Sequence, residues 1–435
     1  MKLGLVVHFF DFRNDVRQWI DELVKFHEVV LFVRPQDQAS IEEMAPKGLE
    51  YRVIDEKKSN LWNRFWEFAF RFLGKLPESR QNYYLMEQFK FSITNNPALI
   101  RKASRLLNFA MSLPKILGYD QFIGQLKYRS KTQIQDIDRF VCFTELSDNY
   151  FISRLIDDRK APLVYVYSWD HPCKHLRFST RLRYLVWHEG IKEDVVNLQH
   201  IPAGNIRVLG ATQMGYVDRF LKQRDQLLSP YPFDYVYFGC AIGVPQLVSS
   251  ELEIVRKVAE VMAMLVPEWK LVIRPYPVLR DWSHYEALKS IPNVLVDDGF
   301  RSAQAKNTSV GEEAIMEKFN KIEHSRAFLH LGTTLGVEAC YTNAPSVLLD
   351  MKEYAFPEQV LTLHHFIHQF QNDKYLNLNG YANVVRSESE LMVLFQDLRS
   401  SSNQLMAYNE TVASDLPPKS FAEVALDFSN LLTTA

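Results

Sequence analysis

The chain has 435 residues, of which 47% are hydrophobic and 23% charged, and this balance is typical of a soluble globular protein. At about 100–200 residues per domain, the length predicts two or three domains, each able to bury its own core. The formal net charge of −2 gives no indication of nucleic-acid binding. The four cysteines form no Cys-x-x-Cys pair, which argues against a zinc site and against a disulfide scaffold.

The N-terminus and the cysteine usage predict a cytoplasmic protein. The apolar run from Leu3 to Phe10 is short, whereas a secretory signal needs a longer apolar region and a small-residue cleavage site. No stretch approaches the roughly 18 uninterrupted apolar residues of a membrane span. We therefore expect any membrane contact to be peripheral, on the inner face of the cell membrane.

The first residues read as a βαβ unit. Leu3–Val7 and Val29–Val33 are short apolar runs, typical of strands that are buried on both faces of a parallel sheet. Between them, Val16–Phe26 has the apolar spacing of a helix. Further buried strands are predicted at Arg139–Phe143, Leu163–Tyr167, Tyr184–Trp187 and Ile206–Leu209. The pattern indicates an α/β domain over residues 1–222.

Residues 57–131 interrupt this pattern with a basic, aromatic and helical insertion. The segment holds 14 Lys and Arg against four Asp and Glu, a net charge of +10. Helical spacing predicts one apolar face, with Arg64, Glu67 and Arg71 opposite; the apolar face comprises Trp62, Phe65, Trp66, Ala69, Phe72 and Leu73. The insertion is interpreted as a plain helical subdomain, as a surface for an anionic membrane, or as a site for a polyprenyl-diphosphate acceptor. No recognisable nucleic-acid module accompanies it.

A second α/β half begins near Asp234, after a linker at Gln223–Phe233 that is broken by Ser and Pro. A strand at Tyr235–Phe238 runs into a Gly-flanked turn, Gly239–Gly243, and a helix is predicted over Glu251–Leu265. Further strands are predicted at Leu271–Ile273, Val294–Val296, Ala327–Leu331 and Ser346–Leu349. We expect this second domain to span residues 234–415, followed by a final helix within 416–435.

The strongest local pattern lies where the strand Ala327–Leu331 meets Gly332, Thr333 and Thr334, at the start of a helix. Free backbone N–H groups and the positive end of the helix dipole form an anion site, and the threonine hydroxyls add donors for diphosphate oxygens. Glu338 lies one turn further on, where it can accept hydrogen bonds from ribose hydroxyls. The alternative is plain helix capping by Thr333, with Glu338 solvated.

Arg274 ends the strand Leu271–Ile273, and its guanidinium is a candidate clamp for a phosphate. The amides near Gly239 and Gly243 are further candidates for the same anion. Tyr237 and Cys240 are interpreted as core residues.

Three segments resemble GT-B glycosyltransferases, including those of bacterial capsule and lipopolysaccharide assembly, and the related glycerophosphotransferases. Thr333-Thr-Leu-Gly-Val-Glu-Ala339 with Pro345 is similar to the end of their donor site. Ile273-Arg-Pro-Tyr-Pro277 is similar to their basic-x-His-Pro element, with Tyr276 where His is common. Ser168-Trp-Asp170, followed by Ile201-Pro and Gly210-Ala211, resembles the end of their first domain. The resemblance covers most of residues 160–350, and residues 40–140 match nothing known to us.

This resemblance implies two Rossmann-like domains that face one another across a cleft. The N-terminal domain would bind a glycan or a polyprenyl-diphosphate-linked acceptor, and the C-terminal domain would bind a nucleotide-diphosphate sugar. The final helix would pack back toward the first domain. No cofactor is implied, and no Asp-x-Asp metal motif is evident, so helix and arginine charges would replace a divalent cation.

Two residues are candidates for the base that deprotonates the acceptor. His8 follows the first strand at the carboxyl edge where α/β sheets bind ligands, and a neutral imidazole suits this role near pH 7. Asp170 follows another strand at the same edge. The alternatives are a His8 stacked among phenylalanines and an Asp170 that caps a turn. His188 and Glu189 are weaker candidates at the end of a further strand.

Other functions remain compatible with the sequence. A sugar-nucleotide 2-epimerase shares the fold and the phosphate-binding helix, but it needs no acceptor and leaves the basic insertion unexplained. A CDP-glycerol-type glycerophosphotransferase is the nearest enzymatic variant. The third alternative is a non-catalytic scaffold of a polysaccharide assembly complex, which predicts that alanine at Glu338 or Arg274 leaves the function intact.

Overall fold

The computed structural model forms two compact units, Met1–Gln213 with Lys419–Ala435, and Met214–Pro418. It describes residues 1–7, 14–45, 48–55, 60–74, 98, 102, 105, 106, 109, 112–127, 130–143, 149–168, 172, 178–242, 245–277, 281–300, 310–351, 383–400 and 403–434.

The first unit is built on a parallel sheet with strand order β3-β2-β1-β4-β5-β6-β7. The strands are β1 (Lys2–Val6), β2 (Glu28–Val33), β3 (Glu50–Val53), β4 (Arg139–Phe143), β5 (Leu163–Tyr165), β6 (Arg183–Val186) and β7 (Ile206–Val208). Leu5 of the central β1 pairs with Leu31 on one side and Val141 on the other, and all three side chains are buried. Helices on both faces explain why these strands are continuously apolar rather than alternating.

The helices of the first unit begin with α1 (Asn14–Leu23), α2 (Gln38–Met44) and α3 (Leu61–Leu73). They continue with α4 (Tyr119–Ile123), α5 (Asn149–Asp157) and α6 (Glu189–Gln199). Helix α1 connects the βαβ unit that the sequence predicts, and it buries Val16, Trp19, Ile20 and Leu23.

The apolar face predicted for α3 is only partly buried: Phe72 is buried, and Trp66, Ala69 and Leu73 are partly exposed. Trp62 and Phe65 belong to the predicted apolar face, yet both are exposed. Glu67, which was expected on the polar face, accepts a hydrogen bond from Tyr150 of α5. Specific polar contacts, rather than hydrophobicity alone, therefore decide which side of this helix meets the unit.

The second unit contains a parallel sheet with strand order β10-β9-β8-β11-β12-β13. The strands are β8 (Tyr235–Gly239), β9 (Lys270–Arg274), β10 (Val294–Val296), β11 (Phe328–His330), β12 (Ser346–Leu349) and β13 (Asn383–Val385). Its helices are α7 (Met214–Gln223), α8 (Pro245–Leu265), α9 (Ser283–Glu286), α10 (Glu312–Glu323), α11 (Thr334–Ala339), α12 (Glu388–Arg399) and α13 (Ala407–Asp415). The two sheets and their covering helices confirm the predicted α/β class.

The unit boundary lies before α7, whereas the sequence assignment ended the first domain at residue 222. Phe220 of α7 stacks on Phe319 of α10 at 5.2 Å between ring centroids, and Arg219 forms an ion pair with Glu312. Both contacts lie within the second unit.

The final helix, α14 (Phe421–Thr434), belongs to the first unit. Phe428 meets Trp19 of α1 edge-on at 5.4 Å between ring centroids, and Ser429 hydrogen-bonds His27 at 2.9 Å. Within the described ranges, no helix combines the length and apolarity that a bilayer crossing requires.

Candidate functional site

The second sheet has a topological switch point between β8 and β11. These two strands are neighbours, but the strands that follow them in the sequence lie on opposite sides of the pair: β9 lies beside β8, and β12 lies beside β11. In open α/β sheets, ligands bind outside the carboxyl ends of the strands at such a point. Gly239 and Arg274 are the last residues of β8 and β9, and Gly332, Thr333 and Thr334 follow β11, so the topology brings these predicted residues to one edge.

The turn after β11 requires a glycine. Gly332 has φ of +89°, in the left-handed region that favours glycine. Thr333 then caps α11, because its hydroxyl accepts a hydrogen bond from the amide of Leu335 at 3.4 Å. Helix α11 has only six residues, and both Thr333 and Thr334 are partly exposed. Thr333 therefore does cap the helix, as the alternative interpretation of this segment predicts.

His330, at the end of β11, stabilises this turn through a hydrogen bond to its ring. Its Nδ1 accepts a hydrogen bond from the amide of Gly332 at 3.1 Å, so the ring proton lies on Nε2. Nε2 is 3.2 Å from the hydroxyl of Ser346, which in turn donates to the carbonyl of Gly336 at 2.7 Å. Burial lowers the pKa of His330 to about 3, so the imidazole is neutral at physiological pH.

Two glycines allow the elements around the switch point to approach closely. A Cβ on Gly336 of α11 would lie 2.5 Å from Cε1 of His330. A Cβ on Gly239 of β8 would lie 2.5 Å from Cζ of Phe328. Larger side chains at either position would push α11 or β8 away from β11.

Glu338 of α11 is paired with a cation that the sequence analysis missed. Its carboxylate accepts a hydrogen bond from Nζ of Lys318 on α10, and both side chains are largely buried. Burial lowers the pKa of Lys318, although the charge of Glu338 opposes this effect. The alternative of a solvated Glu338 is therefore wrong, and the carboxylate is held in place by Lys318.

Arg274 ends β9 inside a second buried charge cluster. Its guanidinium is 3.9 Å from the carboxylate of Asp297 and lies 3.7 Å from the ring centroid of Phe300. Asp297 also accepts hydrogen bonds from Lys321 at 2.7 Å and from Tyr237 at 2.6 Å. Lys318 and Arg274 are close enough for Arg274 to contribute to the lowered pKa of Lys318. The described side chains of this edge thus include three largely buried cations and two largely buried carboxylates.

The segment after β8 is held by a buried acid on α8. Oε1 of Glu251 accepts a hydrogen bond from the amide of Ala241 at 2.7 Å, and the carboxyl lies beside Cys240. Burial raises the pKa of Glu251 to about 7, against the opposing effect of the backbone donors. Gly243 lies outside the described residues, so the predicted contribution of this turn is described only as far as Ile242.

The carboxyl edge of the first sheet contains a different arrangement. Asp15 of α1 accepts hydrogen bonds from the hydroxyls of Tyr167 at 2.9 Å and Thr212 at 2.7 Å. Tyr167 follows β5 and Thr212 follows β7, so one carboxylate ties three segments of this edge together. His8 and Asp170, the two candidate bases, lie outside the described residues.

The weaker candidates of the first unit have structural roles. His188 caps α6, because its Nδ1 accepts a hydrogen bond from the amide of Gly190 at 3.0 Å. Glu189 is exposed and forms an ion pair with Lys192 at 2.8 Å.

Comparison with known proteins identifies the fold. No family model and no curated protein matches the sequence. A solved structure of UDP-GlcNAc 2-epimerase from Methanocaldococcus jannaschii, in complex with UDP-GlcNAc and UDP, is similar with a TM-score of 0.51 at 11% identity, over 100% of both chains.

Glycosyltransferases give similar but lower scores. The calicheamicin glycosyltransferase CalG4 has a TM-score of 0.49 at 13% identity, over 100% of this chain and 98% of its own. HepE of Anabaena in complex with UDP has a TM-score of 0.48 at 8% identity, over 100% of both chains. Together with the two parallel sheets, the TM-score of 0.51 shows that the chain shares the fold of this epimerase, which is the GT-B fold that the sequence predicts.

Proposed function

We propose that the protein is a glycosyltransferase whose second unit binds a nucleoside-diphosphate sugar at the carboxyl edge of β8, β9 and β11. The main support is the charge cluster at this edge, where Arg274, Lys318 and Lys321 are largely buried and paired with Asp297, Glu338 and the half-exposed Glu317. Buried charges are costly unless they are compensated. Cations that are held in place at a switch point are suited to the negative charge of a diphosphate.

Each residue has a distinct role in this proposal. Glu338, held by Lys318, accepts hydrogen bonds from the ribose hydroxyls. Gly332, Thr333 and Thr334 supply backbone and hydroxyl donors to the diphosphate. Lys318 and Arg274 stabilise the negative charge that develops on the leaving nucleoside diphosphate, and fixed charges in a water-poor site are effective in this role. The amides that follow β8, as far as Ile242, are further candidate donors to the same anion.

The acceptor is assigned to the carboxyl edge of the first sheet. His8 or Asp170 deprotonates the acceptor hydroxyl, and Asp15 braces the segments on which that edge depends. A glycan or polyprenyl-diphosphate-linked acceptor, in the synthesis of a bacterial surface polysaccharide, fits the sequence resemblance described above. Transfer is proposed to need no metal, since the cations at the second edge supply the positive charge.

The test is a thermal-shift screen of the purified protein against UDP, GDP, CDP, CMP and TDP. A ligand at about 100 times its dissociation constant stabilises the folded protein by about 2.7 kcal/mol, which is measurable as a higher melting temperature. Glu338→Gln removes the charge but keeps the shape, and we expect it to abolish the shift.

Glu323→Gln is the matched control for this screen. Glu323 lies on α10, as does Lys318, but its carboxylate accepts hydrogen bonds from Asn343, ahead of β12 at the amino ends of the strands. We expect the control to keep the full shift. No shift with any nucleotide, or an equal loss in both variants, would contradict the proposed donor site.

A 2-epimerase is the second candidate, because a UDP-GlcNAc 2-epimerase has a similar fold at a TM-score of 0.51. Incubation with UDP-GlcNAc alone distinguishes the two functions. An epimerase converts this substrate to its C2 epimer without an acceptor. A transferase leaves the configuration at C2 unchanged and transfers the sugar, with release of nucleoside diphosphate, when an acceptor is added.

A further inference from the structure

Helix α3 exposes one apolar side to solvent. Leu61, Phe65 and Phe68 follow the spacing i, i+4, i+7, which places them on one face of the helix. Their exposed fractions are 83%, 58% and 59%. Trp62 and Arg64 flank this face and are also exposed. We call these five residues the α3 face.

The opposite side of α3 is fixed to the first unit. Asn63, Glu67 and Phe70 follow the same spacing, displaced by two residues, so they lie on the far side of the helix. Asn63 exchanges two hydrogen bonds of 2.9 Å with the backbone of Lys127. Phe70 stacks on Phe122 of α4 at 4.5 Å between ring centroids. The helix therefore cannot rotate to bury its apolar side without breaking these contacts.

Exposed aromatic side chains are concentrated in this part of the molecule. Among the described residues, four of the five exposed Phe and Trp side chains lie between positions 61 and 116. Leu106, Phe109 and Ile116 are further exposed apolar residues in the same stretch of the sequence. Such a concentration marks an interaction surface, since isolated exposed apolar residues are common but clusters are not.

The charges beside this surface are positive and outward, whereas the described acids are turned inward. Arg64 is exposed on α3 itself, and Nζ of the exposed Lys127 lies 4.9 Å from the ring centroid of Trp62. Lys102 and Arg105, in the same stretch of the sequence, are exposed as well. Glu67 accepts a hydrogen bond from Tyr150, and Asp120 accepts hydrogen bonds from Ser179 and Thr180. The exposed charge around the α3 face is thus basic, which suits an anionic partner.

We propose that the α3 face inserts into the interface of an anionic lipid bilayer. An amphipathic helix with an exposed aromatic side and flanking Lys and Arg lies in the plane of such an interface, with its apolar side at the boundary of headgroups and acyl chains. Trp62 suits this boundary, because its indole N–H donates to the carbonyl of Gln125 at 2.7 Å and its ring faces outward. The basic residues contact lipid phosphates. A protein partner would not require the excess of positive charge.

The experiment is co-sedimentation of the full chain with vesicles of phosphatidylcholine alone, and with vesicles that contain 30% phosphatidylglycerol. We expect binding to the anionic vesicles, at least tenfold weaker binding to neutral vesicles, and loss of binding in high salt. Phe65→Ser with Phe68→Ser should reduce binding at least tenfold. The matched control, Leu228→Ser with Met264→Ser, changes two exposed apolar residues of the second unit and should leave binding unchanged.

A second variant and a second measurement keep the test decisive. Arg64→Glu should weaken binding to anionic vesicles without altering the circular dichroism spectrum. Absence of binding to both vesicle types, or equal binding by wild type and the Phe65/Phe68 variant, would overturn the proposal. A dimer in light scattering that the same variant abolishes, without vesicle binding, would assign the α3 face to a second copy of the chain instead. Lipid binding and the nucleotide-induced thermal shift are separable, so failure of one does not imply failure of the other.

Discussion

The two sheets share one strand order over their first six positions, yet their carboxyl edges carry different charge. In the first unit, the buried carboxylate of Asp15 is satisfied by the hydroxyls of Tyr167 and Thr212. In the second unit, the corresponding edge contains Arg274 and Lys318. A shared fold does not decide what binds at either edge, because that depends on the side chains. The proposal places the anionic donor in the second unit because Arg274 and Lys318 lie there.

The largest expected effect comes from breaking the ion pair of Glu338 and Lys318. Glu338→Ala leaves a largely buried ammonium without its partner, and this should cost roughly 3 kcal/mol of the free energy of unfolding. Urea denaturation measures the loss. Adding Lys318→Met should restore most of the stability, because the second substitution removes the unpaired charge. If Glu338→Ala alone is as stable as wild type, Glu338 and Lys318 do not form a buried charge pair.

Asp15→Ala tests the contrasting role of the first edge. The substitution leaves the buried hydroxyls of Tyr167 and Thr212 without their acceptor, so we expect a loss of about 2 kcal/mol. The nucleotide-induced thermal shift should persist, since the brace lies in the first unit and the proposed donor site in the second. If Asp15→Ala is as stable as wild type, or if it loses the nucleotide-induced thermal shift, the two edges do not have the different roles proposed here.

The buried His330 predicts an acid-sensitive second unit. Its pKa is about 3 in the folded chain and about 6.5 when unfolded, so protons favour the unfolded state below pH 6.5. The stability that the neutral imidazole contributes is complete above pH 6.5 and is lost as the pH falls toward 3. Between pH 7.5 and 5.5, the loss should be about 1 kcal/mol.

His330→Asn removes this titration while its amide retains an acceptor for Gly332. Wild type and variant must be compared at each pH, because Glu251 titrates in the same range with a pKa raised to about 7. The stability that protonated Glu251 contributes falls as the pH rises, whereas the contribution of His330 increases. Thermal melts at the two pH values provide the measurement. A pH dependence that is the same in both proteins would exclude a buried neutral His330.

The smallest expected effect is that of chelation. If Arg274 and Lys318 supply the positive charge, EDTA should leave the nucleotide-induced thermal shift unchanged. A shift that disappears with EDTA and returns with Mg²⁺ would indicate a metal-dependent donor site, and the proposed role of these cations would then need revision.

The sequence predicts the fold well because its strands are short apolar runs between helices of clear periodicity, as in Leu3–Val7 and Leu271–Ile273. It also places Gly332 and Thr333 at the edge of the second sheet, since a strand, a glycine and a capping residue are local signals. The partners of these residues are not local. Lys318 precedes Glu338 by 20 positions, and only the packing of α10 against α11 brings them together.

The face of α3 is the clearest failure of periodicity. Spacing alone assigns the apolar side of a helix to the core. Here Asn63 and Phe70 fix the helix through contacts with Lys127 and Phe122, more than 50 positions away in the sequence. A pattern of apolar residues does not contain that information.

The most direct test of the central claim is a crystal structure with the nucleoside diphosphate that gives the largest thermal shift. We expect the ribose hydroxyls to lie within hydrogen-bond distance of Glu338, and the diphosphate oxygens to lie beside Gly332, Thr333 and Lys318. A nucleotide bound at the carboxyl edge of the first sheet, or elsewhere in the second unit, would contradict it.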